Sequence, residues 1–291
     1  MVSARVMESW HCMNRLHAIL RHVPRLSDMP SMAAAVGGRA LLRRAPMAGS
    51  GFVSDEAPLI IIGMHRSGTS IVTRLLERGG LYAGGAWLDE NHESIYFSRA
   101  NRAMCGEGPY LVHDYGWTAP KSGEFILARR GYAERAARNA SAFFADRTDQ
   151  QVWGWKDPRN ALTLPVWLSI YPKANVLHIV RDGRAVALSL AERDDLDVSF
   201  GLSLWAHYAA RAESAMERVP DGRRMSIRFE DLAASPVETL ESLYTFAGLA
   251  PAAPLEEIAR DIRSERATAP LADPRLAGLV DDPMLARYSY R

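Results

Sequence analysis

Residues suited to binding anions gather in two stretches of this sequence. In the first, Gly63-Met64-His65-Arg66-Ser67-Gly68-Thr69-Ser70 follows the apolar run Leu59-Ile60-Ile61-Ile62 and precedes Ile71, Val72, Leu75 and Leu76 at helical spacing, which predicts a strand, a tight loop and a helix. Backbone N–H groups of such a loop turn inward at a helix N-terminus, where the helix dipole also favours negative charge, so a phosphate is expected there. Thr69 stands where a nucleotide triphosphatase carries its lysine, and the cation has moved into the loop as Arg66. A guanidinium grips two oxygens of a phosphate or sulfonate at once, whereas the lysine would reach a transferable terminal phosphoryl group. No second carboxylate-bearing strand offers an obvious magnesium role. Metal-dependent kinase or GTPase chemistry is therefore disfavoured, and no metal is expected.

The second stretch, Val176-Leu-His-Ile-Val180-Arg181-Asp182-Gly183-Arg184-Ala-Val-Ala-Leu-Ser189, again reads as strand, turn and helix. Arg181 falls at the C-terminal end of its strand, where open parallel sheets bind ligands, and Asp182 is placed to cap the helix that carries Ser189. Arg181 and Ser189 are expected to share one anion.

A strand followed by an Arg-Ser-Gly-Thr-Ser loop, with a later Arg-Asp-x-Arg and a serine eight positions after its first arginine, resembles the sulfotransferase family. The resemblance implies a P-loop NTPase-like domain in which Arg66, Ser67, Gly68, Thr69 and Ser70 hold the 5′-phosphosulfate of 3′-phosphoadenylyl sulfate (PAPS), while Arg181 and Ser189 hold its 3′-phosphate. Arg228-Phe-Glu-Asp-Leu232, a Ser235-Pro236 helix start and Phe246-Ala-Gly-Leu249 are similar to the family's last strand-and-helix unit, so the likeness runs from about Ala57 to at least Leu249. Arginine in the first loop is closer to bacterial, carbohydrate and tyrosylprotein members than to the phenol-type enzymes, which carry lysine. One departure stands out: the glycine-rich RKGxxG loop of the latter enzymes is absent, and Ile262-Arg-Ser-Glu-Arg-Ala267 lies in that region.

Sulfuryl transfer to a hydroxyl needs a base for the acceptor proton and cations where charge develops on the departing phosphate. Asn91-His92-Glu93 is expected to start a helix in which Glu93, Phe97, Ala100 and Met104 share one face. A carboxylate leading an apolar face, in a pattern similar to the glutamate of carbohydrate and tyrosylprotein sulfotransferases, makes Glu93 the expected base; His92 is its competitor. Lysine is scarce in this chain, at Lys121, Lys156 and Lys173 only. Lys156, in Trp153-Gly-Trp-Lys-Asp-Pro-Arg159, sits at a strand end before a proline, at the ligand edge of the sheet. It resembles the family's Lys-Asp-Pro lysine, which the resemblance makes the group that stabilises the leaving phosphate's bridging oxygen. Asp157 is a candidate to orient Lys156 or Arg159, and Trp153 and Trp155 read as core.

The elements that must position these residues alternate. Strand-sized runs at Val152 to Trp155, Val176 to Val180 and Met225 to Phe229 are each followed by a helical pattern, over roughly Asn160 to Ile170, Arg184 to Glu192 and Pro236 to Ala247. Alternation of this kind predicts an α/β domain with three layers, a mostly parallel sheet covered by helices on both faces. Two further helices, near Lys121 to Ala145 and Phe200 to Val219, are expected at the periphery. Acceptor-binding loops are expected at Tyr82 to Glu90, Tyr110 to Pro120 and Asp194 to Phe200.

The 291 residues are 48% hydrophobic and 24% charged, ordinary for a globular chain. A formal net charge of +1 argues against a dedicated nucleic-acid binder, so anion sites are local. Two cysteines, Cys12 and Cys105, support neither a disulfide framework nor a zinc site and fit a reducing, cytoplasmic setting, as in a bacterium. Residues 1–54 are expected to be a weakly ordered, Arg-rich extension, with Arg5, Arg15, Arg21, Arg25, Arg39, Arg43 and Arg44 against Glu8 and Asp28; a secretory apolar stretch is not found there, and organelle targeting is the lesser reading. Residues 55–291 are expected to form one domain, which the resemblance makes the sulfotransferase domain, with no run long enough for a transmembrane segment. The expected activity is PAPS-dependent transfer to a hydroxyl or amine of a small-molecule, carbohydrate, lipid or peptide acceptor. The alternatives are a P-loop nucleotide kinase, distinguished by magnesium-dependent ATP turnover, and a non-catalytic nucleotide-binding protein, distinguished by binding without transfer.

Overall fold

The structure is a computed structural model that describes residues 49–106, 123–144, 146–148, 151–262, 272–278 and 282–290. All of them belong to one compact unit, Leu42–Arg291. The extension as far as residue 48, the expected acceptor loop at Tyr110 to Pro120, and residues 263–267 of the region that replaces the glycine-rich loop lie outside the described residues.

Four strands, β1 (Leu59–Ile62), β2 (Gly154–Lys156), β3 (Asn175–Val180) and β4 (Arg224–Arg228), form a wholly parallel sheet in the order β2-β1-β3-β4. Parallel strands buried on both faces read as continuous apolar runs rather than alternating ones, and all four residues of β1 are buried. Alternation then sorts them between two layers. Leu59 and Ile61 join Leu177 and Ile179 of β3 in a core with Val72, Leu75 and Leu76 of α1 (Thr69–Glu77). On the opposite face, Trp155 of β2 stacks on Phe97 of α2 (Ile95–Met104), with centroids 4.1 Å apart and planes 10° apart, and meets Trp167 edge-on at 5.0 Å. Such pairs add about 0.5–1.5 kcal/mol each beyond the area they bury. Trp153 and Trp155 are core residues, as expected.

Three elements differ from the sequence expectation. The second strand begins two residues late, at Gly154, because Trp153 makes only an isolated bridge to Tyr82. The helix expected near Lys121 to Ala145 is two, α3 (Gly123–Leu127) and α4 (Arg130–Phe143), broken at a turn where Arg129 donates back to the Phe125 carbonyl at 3.1 Å. Neither α4 nor the helix expected at Phe200 to Val219 is peripheral. Ala133, Ala136 and Ala140 of α4 are buried. The latter helix runs over Val198–Met216 and buries Leu202, Leu204, Trp205, Tyr208 and Ala212. The buried positions recur at helical spacing, but in α4 they are alanines, whose small side chains do not by themselves tell a buried face from an exposed one.

The remaining principal helices complete the layers. α5 (Asn160–Ile170) follows β2, α6 (Gly183–Asp194) follows β3 and packs on α7 (Val198–Met216), and α8 (Phe229–Ala234) and α9 (Pro236–Ala247) follow β4. Pro236 occupies the first turn of α9 and Gly248 ends it in a left-handed conformation, as the sequence predicts; Ser235, however, makes no side-chain cap bond. No helix among the described residues is long and apolar enough to cross a membrane.

Candidate active site

β1 and β3 are neighbours at the point where the strand order reverses, and the two stretches expected to bind anions leave from their C-terminal ends. In an open parallel sheet a ligand crevice forms there. Gly63 has a φ of 148°, and a Cβ on it would lie 2.3 Å from the Ile179 carbonyl oxygen, so the approach of the loop to β3 demands glycine. Gly68, which caps α1 at φ 86°, is held equally: a Cβ there would meet the Phe229 ring at 2.3 Å. Arg66 adopts a left-handed φ of 67° without glycine's freedom, a conformation that clusters at ligand-binding loops. Ser67 is fully buried and its Oγ meets no protein partner. A buried hydroxyl orphaned inside an anion cradle fits a bound oxyanion.

Arg66, Arg181 and Ser189 come together, though not quite as expected. Arg66 Nε donates to Ser189 Oγ at 2.9 Å, and Arg181 Nη1 donates to the Arg66 carbonyl at 3.0 Å, so Arg66 links the two stretches. Burial draws the Arg181 pKa below its ordinary value, with Glu230 opposing and Arg66 adding to the fall. Asp182 caps α6 as expected, accepting from the Arg184 N–H at 2.9 Å, and Arg184 Nη2 closes a buried pair on it at 2.7 Å.

Lys156 ends β2 on the face that looks toward α1. Its Nζ donates to Glu93 Oε1 at 3.0 Å and to Ser70 Oγ at 3.2 Å, with side chains only 1% (Lys156) and 9% (Glu93) exposed. Burial raises the Glu93 pKa above the usual carboxylate range; Lys156 opposes the rise, and Asp157 and Asp89 reinforce it. A carboxylate moved upward in this way approaches the proton affinity of a general base.

Glu93 does not open α2. Asp89 Oδ1 accepts from the N–H groups of Asn91 at 2.9 Å and Glu93 at 2.8 Å, and the Asp89 N–H donates to the Glu93 carbonyl at 3.0 Å. This side-chain-to-backbone closure competes with helix, which begins only at Ile95, while Phe97, Ala100 and Met104 keep the buried face expected of them. His92, in a left-handed conformation at φ 56°, brings Nδ1 within 2.7 Å of Glu77 Oε2 rather than to Lys156. Asp157 orients Arg159, accepting from its backbone N–H at 2.7 Å and its Nη1 at 3.4 Å; the ion pair of Lys156 is with Glu93.

Sequence reasoning missed two groups. Fully buried Asn101 and Asn160 bond each other at 2.8 Å, and Asn101 Oδ1 also accepts from Thr163 and Trp167, both at 2.8 Å. Asn160 Oδ1 accepts from Trp155 at 3.0 Å, and its Nδ2 donates to the Ile61 carbonyl at 3.0 Å. The network ties α2, β2, α5 and β1 together, and no local motif announces it. His65 lies within the first loop: burial takes its pKa well below the ordinary value, and Arg159, Arg193, Lys156 and Arg102 push the same way.

A sequence model of the sulfotransferase family matches residues 58–253, and the chain belongs to that family. Among solved structures, the sulfotransferase domain from the curacin biosynthetic pathway shares the fold, with a TM-score of 0.52 at 13% identity over 82% of this chain and 99% of that one. The sulfotransferase domain of the Synechococcus PCC 7002 olefin synthase aligns at 18% identity and TM-score 0.48 over 81% of this chain and 84% of that one. Sulfotransferase STF9 from Mycobacterium avium aligns at 16% identity and TM-score 0.45 over 86% and 80%. No curated protein matches the chain in sequence. The matched segment contains every residue that the sequence singled out for the site.

Proposed function

We propose that the chain transfers a sulfuryl group from PAPS to a hydroxyl or amine acceptor by in-line displacement, without a metal. The observation that carries this reading is the buried Glu93–Lys156 pair at 3.0 Å, joined through Ser70 to the phosphate loop. Loop residues Arg66, Ser67, Gly68, Thr69 and Ser70 hold the phosphosulfate end of the donor, and Arg181 with Ser189 holds its 3′-phosphate. Glu93 takes the proton from the acceptor as its oxygen or nitrogen forms the new bond to sulfur. The bond between sulfur and the bridging phosphate oxygen breaks, and Lys156 faces the negative charge left on that oxygen, the arrangement in which a buried cation lowers a barrier most.

Calorimetry in magnesium-free buffer tests the donor assignment. Adenosine 3′,5′-bisphosphate is expected to bind more tightly than ATP, and Arg66→Ala and Arg181→Ala are each expected to weaken it by about 1.5–3 kcal/mol, the scale of a charge-assisted contact. Equal affinity for ATP with magnesium, or full affinity in both variants, would overturn it.

A further inference from the structure

Arg181 is steadied from behind by residues near the far end of the chain. The segment 282–290 packs with Leu285 and Tyr290 buried, beside β4 and α8. Tyr290 donates its hydroxyl to Glu230 Oε2 at 2.8 Å, and Glu230 Oε1 accepts the backbone N–H of Asp182, the residue after Arg181, at 2.9 Å. Arg228 holds the tail in place: its guanidinium lies over the Tyr290 ring with 5.1 Å to the centroid, and its Nη1 donates to the Tyr288 carbonyl at 3.4 Å. The Arg181 guanidinium in turn lies 5.5 Å from the centroid of the Phe229 ring, next in sequence to Glu230. Burial raises the Tyr290 phenol pKa and the Glu230 charge raises it further, so the hydroxyl stays a donor. Two side chains thus fix the peptide that directs Arg181 into the crevice, and Glu230 supplies the negative charge that offsets burial of its guanidinium.

We propose that Tyr290 and Glu230 are positioning residues for the nucleotide 3′-phosphate, so that the 282–290 segment sets the preference for a 3′-phosphorylated nucleotide. The inference rests on the donor reading above, because it assigns Arg181 to that phosphate. Without the Tyr290 bond, Glu230 is free to turn from the Asp182 N–H toward the guanidinium itself, where a direct carboxylate pair competes with the phosphate. Arg181 also donates to the Arg66 carbonyl, but the other groups assigned to the 5′ end, Ser67, Gly68, Thr69 and Ser70, take no part in this change.

Calorimetry with adenosine 3′,5′-bisphosphate and adenosine 5′-monophosphate separates the possibilities. In the wild type the bisphosphate binds more tightly. Tyr290→Phe, which keeps the ring and loses one hydrogen bond, is expected to weaken the bisphosphate about fivefold to tenfold and the monophosphate by less than twofold. Glu230→Gln, which retains an acceptor for Asp182 but loses the charge, is expected to lower the same preference; it serves if Tyr290→Phe proves poorly folded. Equal weakening of both nucleotides, or an unchanged preference in both variants, overturns the positioning role while leaving the donor reading intact. A wild type with no preference for the 3′-phosphate overturns the donor reading and this inference with it.

Discussion

Neutralising one member of the Glu93–Lys156 pair is expected to damage stability in a way that neutralising both repairs. The two side chains are 3.0 Å apart and almost fully buried, and the second partner of Lys156 is the uncharged Ser70 hydroxyl. Removing one member of a buried pair leaves an uncompensated charge at about 3–5 kcal/mol, whereas replacing both by uncharged groups of similar volume is often near neutral. Glu93→Gln keeps an amide oxygen for Lys156 to meet, and Ser70 remains, so its cost falls at or below the bottom of that range, about 2–3 kcal/mol. Lys156→Met leaves Glu93 alone in a site where burial already favours the protonated carboxyl. Its cost is about 3 kcal/mol at pH 7 and is smaller in acid, growing as the pH rises from the unfolded carboxyl value toward the folded pKa of Glu93, because over that interval only the folded state stays protonated. The double variant is expected within about 1 kcal/mol of wild type, which makes the coupling energy at least about 4 kcal/mol. Urea unfolding of the four proteins at pH 7 gives the cycle directly. A double variant that loses the sum of the two single costs would refute the reasoning, since the pair would then carry no mutual compensation.

Two further outcomes follow from the geometry. Gly68→Ala must adopt φ 86° and place a methyl 2.3 Å from the buried Phe229 ring, so the urea midpoint is expected to fall by the equivalent of about 2–4 kcal/mol; a loss below 1 kcal/mol would mean that the loop relaxes freely. At Glu134 burial opposes ionisation, but bonds from Ser50, Arg130 and Gly51 prevail and bring its pKa down to about 2, so its contribution is present above the unfolded value near 4.3 and lost as pH falls from there toward 2. Glu134→Gln is accordingly expected to cost about 1–2 kcal/mol at pH 5.5 and much less at pH 2.5, and an equal gap at both pH values, measured by urea unfolding, would exclude this origin.

Most of the site was legible because it is local. The first loop, the strand before it and the helix after it are contiguous, and Arg181, Asp182 and Ser189 lie within one strand-turn-helix unit, so spacing predicts the local structure that carries these residues. Glu93 and Lys156 are 63 residues apart, and the sequence marked each by its setting without indicating that they touch. The start of α2 was misplaced because Asp89 captures backbone donors that a helical reading assigns to the helix, although Asp89-x-Asn91 is itself a turn signal. The Asn101–Asn160 network and the Glu230–Tyr290 bond join residues 59 and 60 positions apart with no pattern in either neighbourhood. Tertiary pairing of single polar side chains leaves no period to read.

The proposed role of Glu93 as the base of sulfuryl transfer is tested by incubating the chain with sulfur-labelled PAPS and a panel of sugars, phenols, lipids and peptides. Label is expected to move to an acceptor in step with release of adenosine 3′,5′-bisphosphate, with turnover lowered about 10²–10⁴-fold in Glu93→Gln and affinity for the bisphosphate little changed. His92→Ala is expected to retain transfer, since its ring pairs with Glu77. Transfer that survives Glu93→Gln and disappears in His92→Ala would contradict the account.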